Sequence, residues 1–183
     1  MHLDEALKRR SFHLTGHRPQ GIGGYNKDSE ENRWLLNQCH RIFSILKIMG
    51  FERMYSGMAL GWDQWGLEQS IDFGFFNVAA IPCLNQERKW PDASQLRYHE
   101  LLKACNEICY VSEKPYDNSC MQERNMWMVD RSIATVAAYN DTPGGTRNCL
   151  MYARRRGNLI FYIDSKKRTV HMAWGDNRLD FPR

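Results

Sequence analysis

The segment Ala138-Tyr-Asn-Asp-Thr-Pro-Gly-Gly-Thr146 follows an apolar run, Ile133 to Tyr139, and precedes a basic helical pattern. A strand that ends in a glycine-rich turn before a helix is typical of α/β sheets, where backbone N–H groups and the helix N-terminus favour phosphate. A Pro-Gly-Gly turn alone is more often a plain connection between two elements. The segment therefore predicts a phosphate site on the condition that other loops meet it at the same edge of the sheet.

Two further strand-like runs end in glycine-rich loops. Residues Phe12 to Thr15 run into a loop from Gly16 to Gly24, and residues Arg53 to Ser56 run into Gly57-Met-Ala-Leu-Gly61. Parallel strands present their carboxyl ends at one edge of a sheet, so these loops should converge there with the Pro-Gly-Gly turn. The three loops together predict a nucleotide-binding site.

The composition fits one soluble domain. The chain has 183 residues, 43% of them apolar and 25% charged, and we expect a single domain over residues 1–183, with a core at about 12–164 and a polar tail at 165–183. No apolar run approaches the roughly 20 residues of a membrane span, and the first residues lack the order of a secretion signal. The sequence therefore predicts a cytoplasmic protein without a membrane partner.

Cysteine spacing and charge limit the other partners. The six cysteines include no CxxC pair, which argues against a zinc site or a disulfide framework, and no metal or cofactor is expected. The formal net charge is only +4, and the basic clusters Arg154–Arg156 and Lys166–Arg168 are typical of solvated faces. Nucleic acid is therefore not expected as a partner, and a small nucleotide-type ligand is.

Strands and helices alternate along the whole chain. This order predicts an α/β fold, a single Rossmann-like domain with a largely parallel sheet and helices on both faces. We expect a frayed polar lead-in over Met1 to Arg10 and an edge hairpin strand over Lys167 to Trp174. A helix capped by Ser29 carries a core stripe that includes Ile45 and Met49.

Several polar residues fall where the loops should meet. Gly16 lets the backbone approach a ligand, His17 supplies a titratable donor, and Arg18 supplies a planar fork for phosphate. Gly57 begins the second loop, and Asp63 could bind a ribose hydroxyl or simply favour a helix dipole. The loop after the third strand, which contains Trp90, could be a lid or a passive surface loop.

The helix from Ser119 to Arg131 carries polar residues in its middle. A buried guanidinium at Arg124 would need an anionic partner, which a bound phosphate would provide, and Asn125 stands beside it. Asp130 lies about a turn and a half further along the helix, where it could act as an acid or as the ion-pair partner of Arg124.

Taken together, these segments resemble the SLOG superfamily of Rossmann-like domains, which includes the LOG phosphoribohydrolases, the DprA recombination mediators and the YpsA/DUF1273 group. The likeness runs from about Phe12 to Arg156. The segments Thr15-Gly-His-Arg-Pro19 and Ser56-Gly-Met-Ala-Leu-Gly-Trp-Asp63 and the closing Gly-Gly-Thr look most like the YpsA/DUF1273 branch, and the second is also similar to a DprA motif. The helix Met121-Gln-Glu-Arg-Asn-Met-Trp-Met128 matches the LOG pattern MHxRKxxM at Met121, Arg124 and Met128.

The resemblance implies roles for individual residues. Arg124 would correspond to the LOG catalytic arginine, and Gly144, Gly145 and Thr146 to the phosphate-binding turn. The chain departs from LOG where Cys149 stands at the place of the catalytic glutamate and Asn125 at the place of a lysine. A neutral thiol cannot stabilise the cationic sugar that forms as an N-glycosidic bond breaks.

Three functions remain open at this point. The first is binding, for sensing or sequestration, of a nucleotide-derived ligand such as an ADP-ribose-like or nicotinamide nucleotide. The second is an N-glycosidase, a hydrolase of nucleoside monophosphates, in which Arg124 is assisted by Asp63 or Asp130 in place of the missing glutamate. The third is DprA-like binding of single-stranded DNA. Likeness to LOG proteins, which pair through helices beside the site, also implies a homo-oligomer, and the segment Met126–Met128 could be such a surface or simply core.

Overall fold

The computed structural model of the chain describes residues 3–117 and 119–174. Within these residues, strands and α-helices alternate almost throughout. The helices are α1 (Leu3–Lys8), α2 (Glu30–Ile48), α3 (Trp62–Asp72), α4 (Asp92–Ala104), α5 (Cys120–Asp130) and α6 (Gly145–Arg155). The strands are β1 (Ser11–Gly16), β2 (Arg53–Ser56), β3 (Phe76–Ile81), β4 (Glu107–Tyr110), β5 (Ala134–Ala138), β6 (Leu159–Asp164) and β7 (Thr169–Trp174).

The strands form one sheet in the order β4-β3-β2-β1-β5-β6-β7. Strands β1 to β6 are parallel, and β7 pairs antiparallel with β6, as expected for the hairpin strand predicted from Lys167 to Trp174. The sheet grows from β1 through β2 to β4 and then restarts on the other side of β1 with β5. In open α/β sheets, ligands bind in the crevice at this reversal. The predicted Rossmann-like α/β fold is confirmed.

Side-chain alternation places helices on both faces of the sheet. In β1, Phe12 and Leu14 face the core that α2, α3 and α4 cover, whereas His13 lies between them in sequence and points to the opposite face. On that second face, α5 and α6 pack against residues of β5 and β6 such as Ala137 and Ile160. Both faces of the central strands are therefore buried, which explains their continuous apolar runs.

The predicted start of helix α2 is observed, whereas two residues of its predicted core stripe are exposed. The Ser29 side chain accepts a hydrogen bond from the Asn32 backbone N–H, which is the expected cap. Ile45 and Met49 are about half exposed, so their assignment to the core is wrong. Ile45 lies about 100° around the axis from the buried Leu46, and Met49 follows the last helical residue.

The predicted frayed lead-in is also wrong, because residues Leu3–Lys8 form α1. Acidic residues in its first turn and Lys8 in its last turn favour the helix dipole. The helix is tied to the sheet where the Ser11 hydroxyl donates to the Leu7 carbonyl at 2.6 Å. None of the helices in the described residues is long and apolar enough to cross a membrane.

Candidate functional site

The three predicted loops meet at the carboxyl edge of β1, β2 and β5. This follows from the pairing of β1 with β2 on one side and with β5 on the other. The His17 backbone N–H donates to the Ala138 carbonyl at 3.0 Å, and the Asn140 side-chain amide donates to the Gly21 carbonyl at 2.8 Å. Hydrogen bonds therefore join the loop after β1 to the end of β5 and to Asn140, three residues before Pro143 of the Pro-Gly-Gly turn.

Arg124 of α5 enters this edge beside the loop after β2. Its side chain is only 6% exposed, and its Nη1 lies 3.8 Å from Asp63 Oδ2, beyond hydrogen-bond distance. Nη1 has no hydrogen-bond partner among the described residues, while Nε donates to the Asn125 side-chain oxygen at 3.0 Å. Gly57 makes room for the guanidinium, because a Cβ atom there would lie 1.4 Å from Nη1.

Asp63 and Arg18 complete this group of charges. Burial raises the pKa of the Asp63 carboxyl above its ordinary value, although Arg124, Arg18 and the Ala59 backbone N–H act in the opposite direction. Burial and the charge of Arg124 lower the pKa of Arg18, while Asp63 raises it. Two guanidinium groups therefore share one buried carboxylate, and the group as a whole favours a further anion.

His17 lies on the β5 side of the same loop. Its ring stacks on Tyr139 with 5.5 Å between ring centroids, and its Nε2 is 3.4 Å from the Thr142 hydroxyl. Burial lowers the pKa of His17 and the charge of Lys166 acts in the same direction, whereas a hydrogen bond that the imidazole donates to the Asn140 side chain raises it. The imidazole is therefore neutral at pH 7 and can donate or accept a hydrogen bond but adds no positive charge.

The glycines of the turn occupy the start of α6. Gly144 precedes the helix with φ 143°, a backbone conformation that other residues rarely adopt, and Gly145 is the first helical residue. No heavy atom lies within 4 Å of a Cβ built at Gly145, and no described side chain caps the helix. Thr146 is buried in the first turn. A side chain at either glycine would therefore meet open space, and the Thr142 hydroxyl brings the turn next to His17.

A buried polar layer lies beneath the site. His13 is fully buried, with Nδ1 2.7 Å from the Ser132 hydroxyl and Nε2 3.3 Å from the Thr135 hydroxyl. Burial and the charge of Arg124 lower the pKa of His13 to about 3, so it is neutral near pH 7. Cys149, 3.8 Å from the same ring, has its pKa raised to about 12 by burial and is a neutral thiol.

The structure separates Asp130 from the other predicted site residues. Its carboxylate accepts a hydrogen bond from the Tyr152 hydroxyl at 3.1 Å and lies 2.9 Å from Arg156 Nε. Asp63, not Asp130, is the carboxylate beside Arg124. Gly16 is close to the site but serves packing, since a Cβ atom there would lie 2.4 Å from the Trp62 ring.

The sequence did not single out several residues that build the site. The Ser56 hydroxyl donates to the Asp63 carbonyl at 2.8 Å, and the Trp62 indole N–H donates to the Val136 carbonyl at 3.2 Å. These bonds hold the start of α3 against β2 and β5. Ser56 and Trp62 lie in the glycine-rich segment 56–63. Their spacing does not predict the contact of Trp62 with β5, which lies far along the chain.

The chain is similar in sequence to bacterial proteins. The chain is 34% identical over 119 residues to the SPbeta prophage-derived protein YoqJ of Bacillus subtilis, covering 56% of this chain and 70% of that protein. It is 24% identical over 150 residues to a UPF0398 protein of Halalkalibacterium halodurans, covering 78% and 79% respectively.

Two solved structures share the fold at 15% identity. DNA processing protein A of Helicobacter pylori, for which a single-stranded DNA binding mode is described, superposes with a TM-score of 0.59 over 87% of this chain and 68% of that one. DNA processing protein A of Streptococcus pneumoniae gives a TM-score of 0.60 over 87% of this chain and 52% of that one.

These neighbours correct the sequence-based view of partners. Excluding nucleic acid because the net charge is mild is wrong, since a protein of the same fold binds single-stranded DNA. The mild net charge of the chain therefore does not decide between nucleic acid and a free small molecule. The predicted SLOG membership, by contrast, is confirmed. The model of the YspA SLOG family (YpsA) matches residues 12–161, and the chain belongs to this family.

Proposed function

We propose that this protein binds a nucleotide unit through its phosphate at the carboxyl edge of β1, β2 and β5. The observation that carries the proposal is the guanidinium of Arg124, which is buried against Gly57 with Nη1 lacking a hydrogen bond to any described residue. An unpaired buried donor on a charged group costs roughly 1–3 kcal/mol or more. A bound phosphate oxygen would remove that cost.

The local charge balance supports an anionic ligand. Arg18 and Arg124 both interact with Asp63, and the pKa of Asp63 is raised despite them. One carboxylate cannot satisfy two guanidinium groups, each of which presents five N–H donors in a planar fork. A phosphate offers oxygens that match this geometry, and it would add the negative charge that the group lacks.

The turn before α6 supports the same ligand class. Gly144 and Gly145 leave the first amides of the helix beside open space, and the turn contacts His17 through Thr142. A helix N-terminus with free N–H groups favours phosphate. Since His17 is bonded to Ala138 and precedes Arg18, the turn and the arginine belong to one continuous edge.

The nucleotide unit can be part of a single strand or a free molecule. Likeness in fold to a protein with a single-stranded DNA binding mode favours the strand. Free nucleotide-derived ligands, including ADP-ribose-like and nicotinamide nucleotides, present the same phosphate to the same arginines. The protein would then sense or sequester such a free ligand. Affinities for a strand and for free ligands distinguish the two possibilities.

A hydrolase of the N-glycosidic bond is favoured by one observation. Asp63 is a buried carboxylate with a raised pKa beside Arg124, which is the kind of acid that base departure needs. Against it, Cys149 is a neutral buried thiol and supplies no second carboxylate. Release of free base from nucleoside monophosphates, NAD or ADP-ribose, lost in Arg124→Ala, would establish this activity.

The binding proposal is tested by titrating the protein with thymidine 5′-monophosphate, ADP-ribose and an oligothymidylate strand. Arg124→Gln and Gly57→Ala should each weaken binding at least about tenfold, because the first removes the phosphate fork and the second displaces it. A higher affinity for the strand than for either free ligand would favour nucleic acid, and the reverse order would favour the small ligand.

Two control variants separate loss of the site from loss of the fold. Arg41→Gln removes an exposed arginine of α2. Gly74→Ala places a side chain at φ 65°, where a Cβ meets no atom within 4 Å, so it costs stability without touching the site. Both should bind like the original chain. Unchanged affinity in Arg124→Gln, with melting temperatures matched to the controls, contradicts the proposal.

A further inference from the structure

A fourth loop reaches the same edge of the sheet and carries an aromatic ring. It follows β3, which pairs with β2, and it carries Trp90 two residues before α4 begins at Asp92. The Arg18 guanidinium carbon lies 5.8 Å from the centroid of the Trp90 ring. The ring is therefore next to one of the two arginines to which the phosphate is assigned.

The surroundings of Trp90 hold it in place. Its backbone N–H donates to the Glu87 carbonyl at 2.8 Å, and its own carbonyl accepts from the Gln95 side chain of α4 at 2.8 Å. Its ring packs edge-on against the buried Tyr98 at 5.5 Å, and it is half-buried against the main core. A ring fixed in this way loses little conformational freedom when a second ring stacks on it.

A second aromatic ring stands near Arg18. Tyr25 is 61% exposed, its hydroxyl accepts a hydrogen bond from the Gln20 side chain at 2.7 Å, and it contributes to the electrostatic environment of Arg18. Proteins that hold nucleotides without reading their sequence combine positive charge for the phosphate with aromatic faces for the bases. The edge has both features.

We infer that Trp90 is a base-stacking residue of this site, so that the ligand is recognised by an aromatic base as well as by a phosphate. This inference rests on the proposed nucleotide function. Trp90 is better placed for stacking than Tyr25 because backbone and ring contacts hold it against α4. Arg18 would then contact the phosphate and border the base, whereas Arg124 would contact the phosphate alone.

The test compares ligands that differ only in the base. Thymidine 5′-monophosphate is measured against 2-deoxyribose 5-phosphate, and an oligothymidylate against an abasic strand of equal length. The original chain should prefer each base-bearing ligand at least about fivefold, from the usual strength of base–aromatic stacking. Trp90→Ala should reduce that preference to about one while the affinity for 2-deoxyribose 5-phosphate changes less than about twofold.

Two further variants control for the fold. Trp90→Phe keeps an aromatic face and should keep most of the preference. Trp127→Phe alters a tryptophan of α5 that packs on Tyr55, and this variant should retain the whole preference. If Trp90→Ala keeps the preference for the base, or if the original chain shows no such preference, the inference is wrong. Phosphate binding is unaffected by either result. Absence of binding by every probe overturns the nucleotide function and this inference with it.

Discussion

Two buried polar side chains of this fold are stabilised in different ways. His13 is neutral, and both ring nitrogens lie close to hydroxyl groups, Ser132 on one side and Thr135 on the other. Arg124 is a charged group in a slot left by Gly57, with one nitrogen unbonded and its carboxylate partner at 3.8 Å. A satisfied neutral group is typical of a structural core, whereas the unsatisfied charged group is the basis of the proposed phosphate site.

His13 gives a prediction about stability and pH. Its pKa is about 3 in the folded chain and about 6.5 when unfolded, so the folded state binds fewer protons. The stability that depends on neutral His13 is fully present above pH 6.5 and is lost as pH falls toward 3. The linked loss reaches up to about 5 kcal/mol. In His13→Gln the free energy of unfolding should therefore fall less steeply over this range.

Urea titrations at a series of pH values measure this difference. The carboxyl groups of the two chains are the same, so their contributions cancel when the variant is compared with the original. Asn37→Gln, which changes an exposed residue of α2 without removing a titratable group, should follow the pH dependence of the original chain. Parallel curves for His13→Gln and the original would show that His13 titrates in the folded state near its ordinary value.

At the scale of elements, the start of α2 positions the loop that carries Arg18. The buried Asn32 side chain accepts from the Gly23 backbone N–H at 3.0 Å and donates to the carbonyls of Gly24 and Asn26 at 3.1 and 2.7 Å. The cap residue Ser29 also donates to the Gly23 carbonyl at 3.2 Å. One helix end thus fixes the distal half of the loop that follows β1.

Asn32→Ala should lower the free energy of unfolding by about 1–3 kcal/mol, because it leaves these backbone groups without partners. The loop should also be cut faster by protease, and the affinity for the phosphate ligand should fall. Asn37→Ala, on the exposed side of the same helix, is the matched control and should leave all three measurements unchanged. Equal proteolysis rates for the two variants would show that the loop is held by other contacts.

Sequence patterns predict the elements of this fold and the meeting of its loops, but not the tertiary contacts of the site. Helix and strand positions followed from periodicity, and the convergence of loops followed from parallel pairing, because both depend on local order along the chain. Two features depend on tertiary distances: the space that Gly57 leaves for the Arg124 guanidinium, and the position of the Trp90 ring beside Arg18. Spacing does not encode these distances. Asp130 illustrates this limit: helical spacing predicts its position on α5, but it does not predict the ion pair with Arg156.

At the scale of the whole molecule, the distribution of charge matters more than its sum. The formal charge is only +4, and ion pairs elsewhere neutralise basic groups locally, as between Arg53 and Glu107 at 2.9 Å and between Arg97 and Glu68 at 2.7 Å. At the proposed phosphate site, Arg18 and Arg124 share Asp63. A mild net charge is therefore compatible with a locally positive edge, since clefts concentrate the field of the charges that line them.

This distribution predicts how binding of a single strand depends on salt. The logarithm of the association constant for an oligothymidylate should fall linearly with the logarithm of salt concentration, with a slope of about −0.7 for each phosphate contacted. Arg18→Gln should make the slope shallower by about 0.7, because one phosphate contact is lost. Lys103→Gln, in the exposed last turn of α4, should leave the slope unchanged. Fluorescence anisotropy with a labelled strand measures both slopes, and a binding constant that does not respond to salt would mean that the strand is held without phosphate contacts.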